Sequence, residues 1–133
     1  MKSMEVVCGI AMKDGKVFMA RRKAGKSLAG HWEFPGGKVE AGEDHKTALE
    51  RELKEELGVQ VEVGDFIASG HTKGEEVDIN LHGYFIEWDA EPLISSDHDQ
   101  MGWMGNDDVA QLKIPEADLP ILDSLSGTKH FAF

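Results

Sequence analysis

Residues 37–59, GKVEAGEDHKTALERELKEELGV, constrain this chain more than any other stretch. They set Glu52, Glu55 and Glu56 at i, i+3 and i+4, so a helix carries all three on one face. At about 100° per residue, Leu49, Leu53 and Leu57 form a neighbouring apolar stripe, while Lys46, Glu50 and Lys54 fall to the solvent side. The pattern predicts a helix over His45–Leu57, ended by Gly58 as a C′ glycine. Acids crowded on one face repel by a few tenths of a kcal/mol per pair. A divalent cation offsets that repulsion, and oxygen ligands suit Mg²⁺ or Mn²⁺.

The rest of the composition narrows the setting. With 133 residues, of which 41% are hydrophobic, the chain suits a single domain over residues 1–133 with a real core. Twenty-five acids against 14 bases give a net charge of −11. That balance argues against binding a nucleic-acid polymer or an anionic membrane surface, and it leaves room for a small anionic substrate bridged by metal. The single cysteine, Cys8, lies in the apolar run VVCGIAM and reads as a core residue, so no internal disulfide forms. No apolar stretch reaches membrane-spanning length, and MKSMEVV lacks the apolar run of a signal peptide. A soluble cytoplasmic protein is expected.

Along the chain, residues 5–12 read as a central strand. Lys13-Asp14-Gly15-Lys16 is a hairpin signal leading into a partner strand, Lys16–Arg22. Residues 23–30 are a polar, basic loop. Trp32-Glu33-Phe34 is a short extended piece, broken by Pro35-Gly36-Gly37. After the helix, residues 59–63 and 66–71 read as a strand interrupted at Gly64-Asp65, followed by a turn over 72–76. Val77–Trp88 alternates apolar and polar residues over a long strand that is either interior or a dimer edge. Residues 90–100 form an acidic loop and 101–104 a short strand. Residues 106–112 suggest a helix capped by Asn106 or Asp107, and 117–125 a final helix with Pro120 in its first turn. This succession indicates an α/β or α+β sandwich.

The central stretch is similar to the signature of the Nudix hydrolases. Gly37, Glu43, Arg51-Glu52, Leu53, Glu55-Glu56, Gly58 and Val59 occupy every defined position of that signature. The flanking GHWEFPGG and the short chain resemble the MutT-like branch, nearest to its CTP-pyrophosphohydrolase-like members. The resemblance implies an α/β/α Nudix sandwich with a mixed sheet. It also implies metal-dependent hydrolysis of a nucleoside diphosphate linked to a further group, for MutT-like members a nucleoside triphosphate giving the monophosphate and pyrophosphate. Glu55 and Glu56 would then ligate the metal, Glu52 would be a ligand or the general base, and the Gly37 carbonyl a further ligand. Glu43 and Arg51 would brace the loop against the helix. Cleaving a phosphoanhydride needs a water, a base and cations to neutralise the phosphates, which agrees with this division of labour.

Residues outside the signature have two readings each. Asp97, six residues before Trp103, stands where MutT-like members carry a further metal-binding glutamate; Asp99 competes with it, and the alternative is an acidic surface loop. Phe34 either stacks on a base or belongs to the core, and Glu33 could hydrogen-bond at the pocket edge. Arg22 or Arg21 either holds a phosphate or is a solvated strand end. Asp118 either reads a base edge, accepting from an amino group when ionised, or caps the last helix. His31, His45, His71, His82, His98 and His130 show no ligand spacing and are expected either at the surface or with their hydrogen bonds satisfied. Gly74 falls where ADP-ribose-cleaving relatives show proline and dinucleoside-polyphosphate cleavers tyrosine, which favours a triphosphate. The expectation is therefore a Mg²⁺- or Mn²⁺-dependent (deoxy)nucleoside triphosphate pyrophosphohydrolase, monomeric or homodimeric, acting on a pyrimidine nucleotide such as CTP or dCTP, or on a modified one. The rivals are an 8-oxo-dGTP-type sanitising enzyme, an ADP-ribose-type hydrolase, and a nucleotide-sensing module without catalysis.

Overall fold

In the computed structural model, which describes residues 2–74, 76–92 and 95–125, alternate side chains of the strands feed two separate cores. On β1 (Lys2–Ile10), Val7 joins a cluster with Leu49, Leu53 and Leu57, while Cys8 and Ile10 join one with Ile121 and Leu125. On β3 (Lys16–Arg22), Phe18 goes to the first cluster, and Val17 and Met19 go to the second. The first cluster contains the buried stripe of α1 (His45–Leu57) and the second that of α3 (Leu119–Leu125). Helices thus cover both faces of the strands, the α/β/α sandwich that the sequence leads one to expect.

The strands form two four-stranded sheets, the first of which is the expected mixed sheet. The first has the order β5 (Gly36–Lys38), β1, β7 (Val77–Trp88), β6 (Val61–Thr72), in which β1 and β7 run parallel and the other pairs antiparallel. In the second, β3 pairs with β2 (Met12–Lys13), β4 (Trp32–Glu33) and β8 (His98–Met104), all antiparallel. β7 lies between β1 and β6, so it is interior and offers no edge for a dimer.

Five local expectations change. Pro35-Gly36-Gly37 does not only break the chain: β5 (Gly36–Lys38) pairs with Val6, Val7 and Cys8, and a Cβ on Gly36 would strike the Val7 backbone. β6 (Val61–Thr72) runs through Gly64-Asp65, with register shifts absorbing the extra residues as bulges. β8 begins at His98, so the acidic loop is shorter than expected; Leu93 and Ile94 of that loop, Glu75 of the preceding turn and His130 lie outside the described residues. The helix after β8, α2 (Asn106–Val109), is short and capped one residue earlier, because the Asp108 carboxylate accepts the Gly105 N–H at 2.8 Å. The final helix is preceded by a 3₁₀ turn, Glu116–Asp118.

The central helix forms at its expected limits for local reasons. Asp44 accepts the Thr47 N–H at 2.8 Å as N-cap. Gly58, at φ 69°, takes the left-handed turn that ends the helix, and its N–H reaches Lys54 O. No helix among the described residues is long and apolar enough to cross a membrane.

Candidate active site

Arg51 binds the loop to the helix. Its Nε and Nη2 donate to the two oxygens of Glu43, at 2.7 and 2.9 Å, and Nη2 also donates to Lys38 O at 3.0 Å. Such a two-pronged ion pair fixes orientation as well as distance. The guanidinium, with help from the Glu40 N–H, pulls the Glu43 carboxyl down to about 2. The remaining prong, Nη1, donates to Glu52 Oε1 at 3.0 Å and to Glu55 Oε2 at 3.4 Å. Gly37 packs directly on the Glu52 side chain, in a space that a Cβ would fill.

Glu52, Glu55 and Glu56 open with Ser95, Ser96 and Asp97 onto one polar cleft of about 200 Å³. The fold therefore brings Asp97 to the helix acids. Asp99 goes elsewhere, accepting from Arg21 Nε at 2.7 Å. Lys26 sits 2.8 Å from Asp97 and holds its carboxyl below the usual range. Glu56 is the least satisfied of the acids. Its Oε1 is buried without a hydrogen-bond partner, and burial pushes its carboxyl up to about 7. An unpartnered buried carboxylate oxygen costs free energy until a cation or donor meets it. Among the described residues, no three such side chains converge closely enough to hold an ion as they stand.

Behind the acids lies a second group. Glu33 accepts from Arg22 Nη1 at 3.2 Å and from His98 Nε2 at 2.9 Å. Arg22 also donates from Nε to Ser27 O at 2.7 Å, so it is held by the basic loop and by Glu33 rather than solvated. Phe34 is 3% exposed and packed in the α3-side core, so its ring offers no open face for stacking. What it gives the site is its backbone N–H, donated to Asp118 Oδ2 at 3.2 Å. Asp118 is correspondingly not an N-cap: it is buried, and desolvation raises its carboxyl to about 8 against the help of that N–H. Burial thus favours the protonated form of this carboxyl, which can donate as well as accept. Cys8 is core, and burial drives its thiol well up, as expected of an inert residue.

His98 is the residue whose place the sequence does not signal. It is 5% exposed, lies between Glu33 and Glu56, and bonds through Nδ1 to Ser95 Oγ at 2.6 Å. Nothing in its spacing distinguishes it from the others. His45, His71 and His82 join Glu5, Asn80 and Tyr84 in a polar network elsewhere. A larger cleft of about 470 Å³, with Ile10, Val63 and Phe85 in its wall, contains none of the residues singled out by the sequence.

Known proteins match this arrangement. The model of the NUDIX domain family matches residues 2–125. The chain is 38% identical over 129 residues to the CTP pyrophosphohydrolase of Escherichia coli, covering 97% of this chain and 96% of that protein. It is 30% identical over 128 residues to the E. coli 8-oxo-dGTP diphosphatase, covering 94% and 98%. The solution structure of the E. coli ORF135 protein superposes with a TM-score of 0.82 at 37% identity, over 93% of this chain and 89% of that one. With the signature residues gathered on one loop and helix, and the family model spanning nearly the whole chain, the protein belongs to the NUDIX domain family and is a hydrolase of that family.

Proposed function

We propose that the chain is a Mg²⁺- or Mn²⁺-dependent nucleoside triphosphate pyrophosphohydrolase that releases the monophosphate and pyrophosphate, with a preference for a pyrimidine nucleotide such as CTP or dCTP. The observation that carries this reading is the unpartnered buried oxygen of Glu56 in a cleft shared with Glu52, Glu55 and Asp97. A hard dication suits that donor set, with the Gly37 carbonyl as a further ligand. When bound, such an ion neutralises phosphate charge and lowers the pKa of a coordinated water.

The chain's own groups supply the rest. Arg51 spans Glu52 and Glu55 through Nη1, and it keeps the loop fixed through Glu43 when that prong is released. Glu52 or Glu55 accepts the proton of the attacking water as the water oxygen bonds to phosphorus and the bridging oxygen leaves with the departing product, monophosphate or pyrophosphate. Lys26 and Arg22, on the basic loop and the end of β3, lie beside the acids, where the phosphates of a nucleotide would need positive charge. Glu33 accepts from an exocyclic amino group, and protonated Asp118 can donate to a ring nitrogen, a pairing that cytosine satisfies. The CTP pyrophosphohydrolase relative supports this choice of base.

A panel of CTP, dCTP, UTP, ATP, GTP, 8-oxo-dGTP and ADP-ribose, with Mg²⁺ or Mn²⁺, tests it. Monophosphate and pyrophosphate from CTP or dCTP at the highest kcat/KM is the expected result. Preference for 8-oxo-dGTP would move the assignment toward the 30%-identical relative. Turnover of ADP-ribose alone would overturn the triphosphate reading, and tight binding without turnover would make the chain a sensor.

A further inference from the structure

Two halves of the site, the acids of the helix and the Glu33–Arg22 pair on β4 and β3, meet at one buried side chain. The His98 side chain is 2% exposed. It reaches Glu33 Oε2 from Nε2 at 2.9 Å and Ser95 Oγ from Nδ1 at 2.6 Å, and Nδ1 stands 3.6 Å from Glu56 Oε1. A bulge in the pairing of β8 with β3 aims it there. Arg21 pairs with Gln100 but Arg22 with His98, so Asp99 is the extra residue and turns outward to Arg21.

The direction of the hydrogen bonds along this chain is set by its ends. The Asp97 N–H donates to Ser95 Oγ at 3.2 Å, and the Ser95 hydroxyl hydrogen is free to point at His98 Nδ1, 2.6 Å away. Glu33, held by Arg22, is the acceptor at the other end, so the ring hydrogen sits on Nε2. In this tautomer Nδ1 has no hydrogen to offer Glu56. The Glu56 oxygen nearest the ring is therefore kept without a donor although it is buried, and that is the oxygen without a partner.

We propose that His98 is a positioning residue that does two things at once. It orients Glu33 toward the base, and by presenting a lone pair it reserves Glu56 Oε1 for a cation. The inference rests on the reading of the box acids as metal ligands and of Glu33 as a base contact. It adds that the two are coupled through one imidazole, so that metal affinity and base preference respond to the same substitution.

Two variants separate this from a structural role. In His98→Gln the longer amide reaches the place of Nε2 and keeps a donor for Glu33. In His98→Asn the shorter amide loses Glu33, while its nitrogen can face Glu56. Mn²⁺ affinity is measured by calorimetry on protein without nucleotide, and base preference as the ratio of kcat/KM for CTP and GTP. His98→Asn is expected to lose about tenfold in Mn²⁺ affinity, as loss of a residue orienting a metal ligand typically costs, and about tenfold in base preference, whereas His98→Gln keeps the wild-type preference. Wild-type Mn²⁺ affinity and preference in a folded His98→Asn protein overturn the proposal. Should His98→Asn not fold, loss of preference in His98→Gln overturns it instead. If the wild type hydrolyses no triphosphate, the substrate reading fails, and the Mn²⁺ titrations still decide the role of His98 at Glu56.

Discussion

Gly37 and Glu52 are packed so closely that a Cβ on Gly37 would lie 2.7 Å from Glu52 Cγ and closer still to its carboxyl group. The loop has no room to retreat, because Gly37 is paired with Val7 on β1. A side chain at this position therefore displaces Glu52. Gly37→Ala is expected to lower kcat/KM and Mn²⁺ affinity by about 10–100-fold while the far-UV circular dichroism spectrum stays that of the wild type. Wild-type Mn²⁺ affinity in this variant would show that the Glu52 position does not matter to the ion.

Glu56 represents a conflict between stability and function. Its buried oxygen has no partner, and burial raises its carboxyl to about 7, so the ionised form strains the fold. Such a group costs about 1–3 kcal/mol. At pH 8 with a chelator present, Glu56→Gln is expected to melt several degrees above the wild type. With saturating Mn²⁺ the order should reverse, since a ligand at 100 times its dissociation constant adds about 2.7 kcal/mol to a protein that binds it. Thermal melts with and without Mn²⁺ read both effects, and an equal Mn²⁺-induced shift in the two proteins counts against Glu56 as a ligand.

The Arg51 fork cannot be copied by lysine. Lys places a single ammonium where Arg meets Glu43 with two N–H groups and Lys38 O with a third contact. Arg51→Lys is expected to reduce kcat by about tenfold or more, with increased hydrogen exchange in residues 38–43. The pH dependence follows the depressed Glu43 value. The pair contributes above the ordinary carboxylate pKa of 4.5 and is lost only as pH falls through about 2. Melting temperatures of the wild type and Glu43→Gln should therefore differ at pH 4 and converge near pH 2.

The parts of this molecule legible from sequence are those in which neighbours along the chain set the geometry. The helix His45–Leu57 obeys its own periodicity and caps, and Arg51 finds Glu43 because they share that helix and its leading loop. The Gly36–Lys38 strand is not legible, since its pairing depends on how closely β1 approaches, and glycines that read as a break are what permit the approach. His98 is hidden for the same reason: its partners Glu33 and Glu56 are 65 and 42 positions away, and only the bulge beside Asp99 turns it inward. Phe34 and Asp118 were each visible as a residue type but not in their state. Burial made one a core ring and raised the carboxyl of the other to about 8.

That shift gives Asp118 a pH signature of its own. Its carboxyl is raised from an ordinary 3.8 to about 8, chiefly by desolvation. Between these values the folded protein holds a proton that the unfolded chain releases, so raising the pH through this window lowers stability, by at most about 1.4 kcal/mol per pH unit for one proton. Above about pH 8 the penalty is fully present and the dependence levels off. Asp118→Asn keeps an oxygen to accept the Phe34 N–H and has nothing to ionise. The stability difference between this variant and the wild type, from urea melts at pH 5 to 9, should grow with pH in favour of Asn and flatten near pH 8. A difference that is constant across that range would mean that Asp118 is ionised in the fold, and with it the donor proposed for the base would be lost.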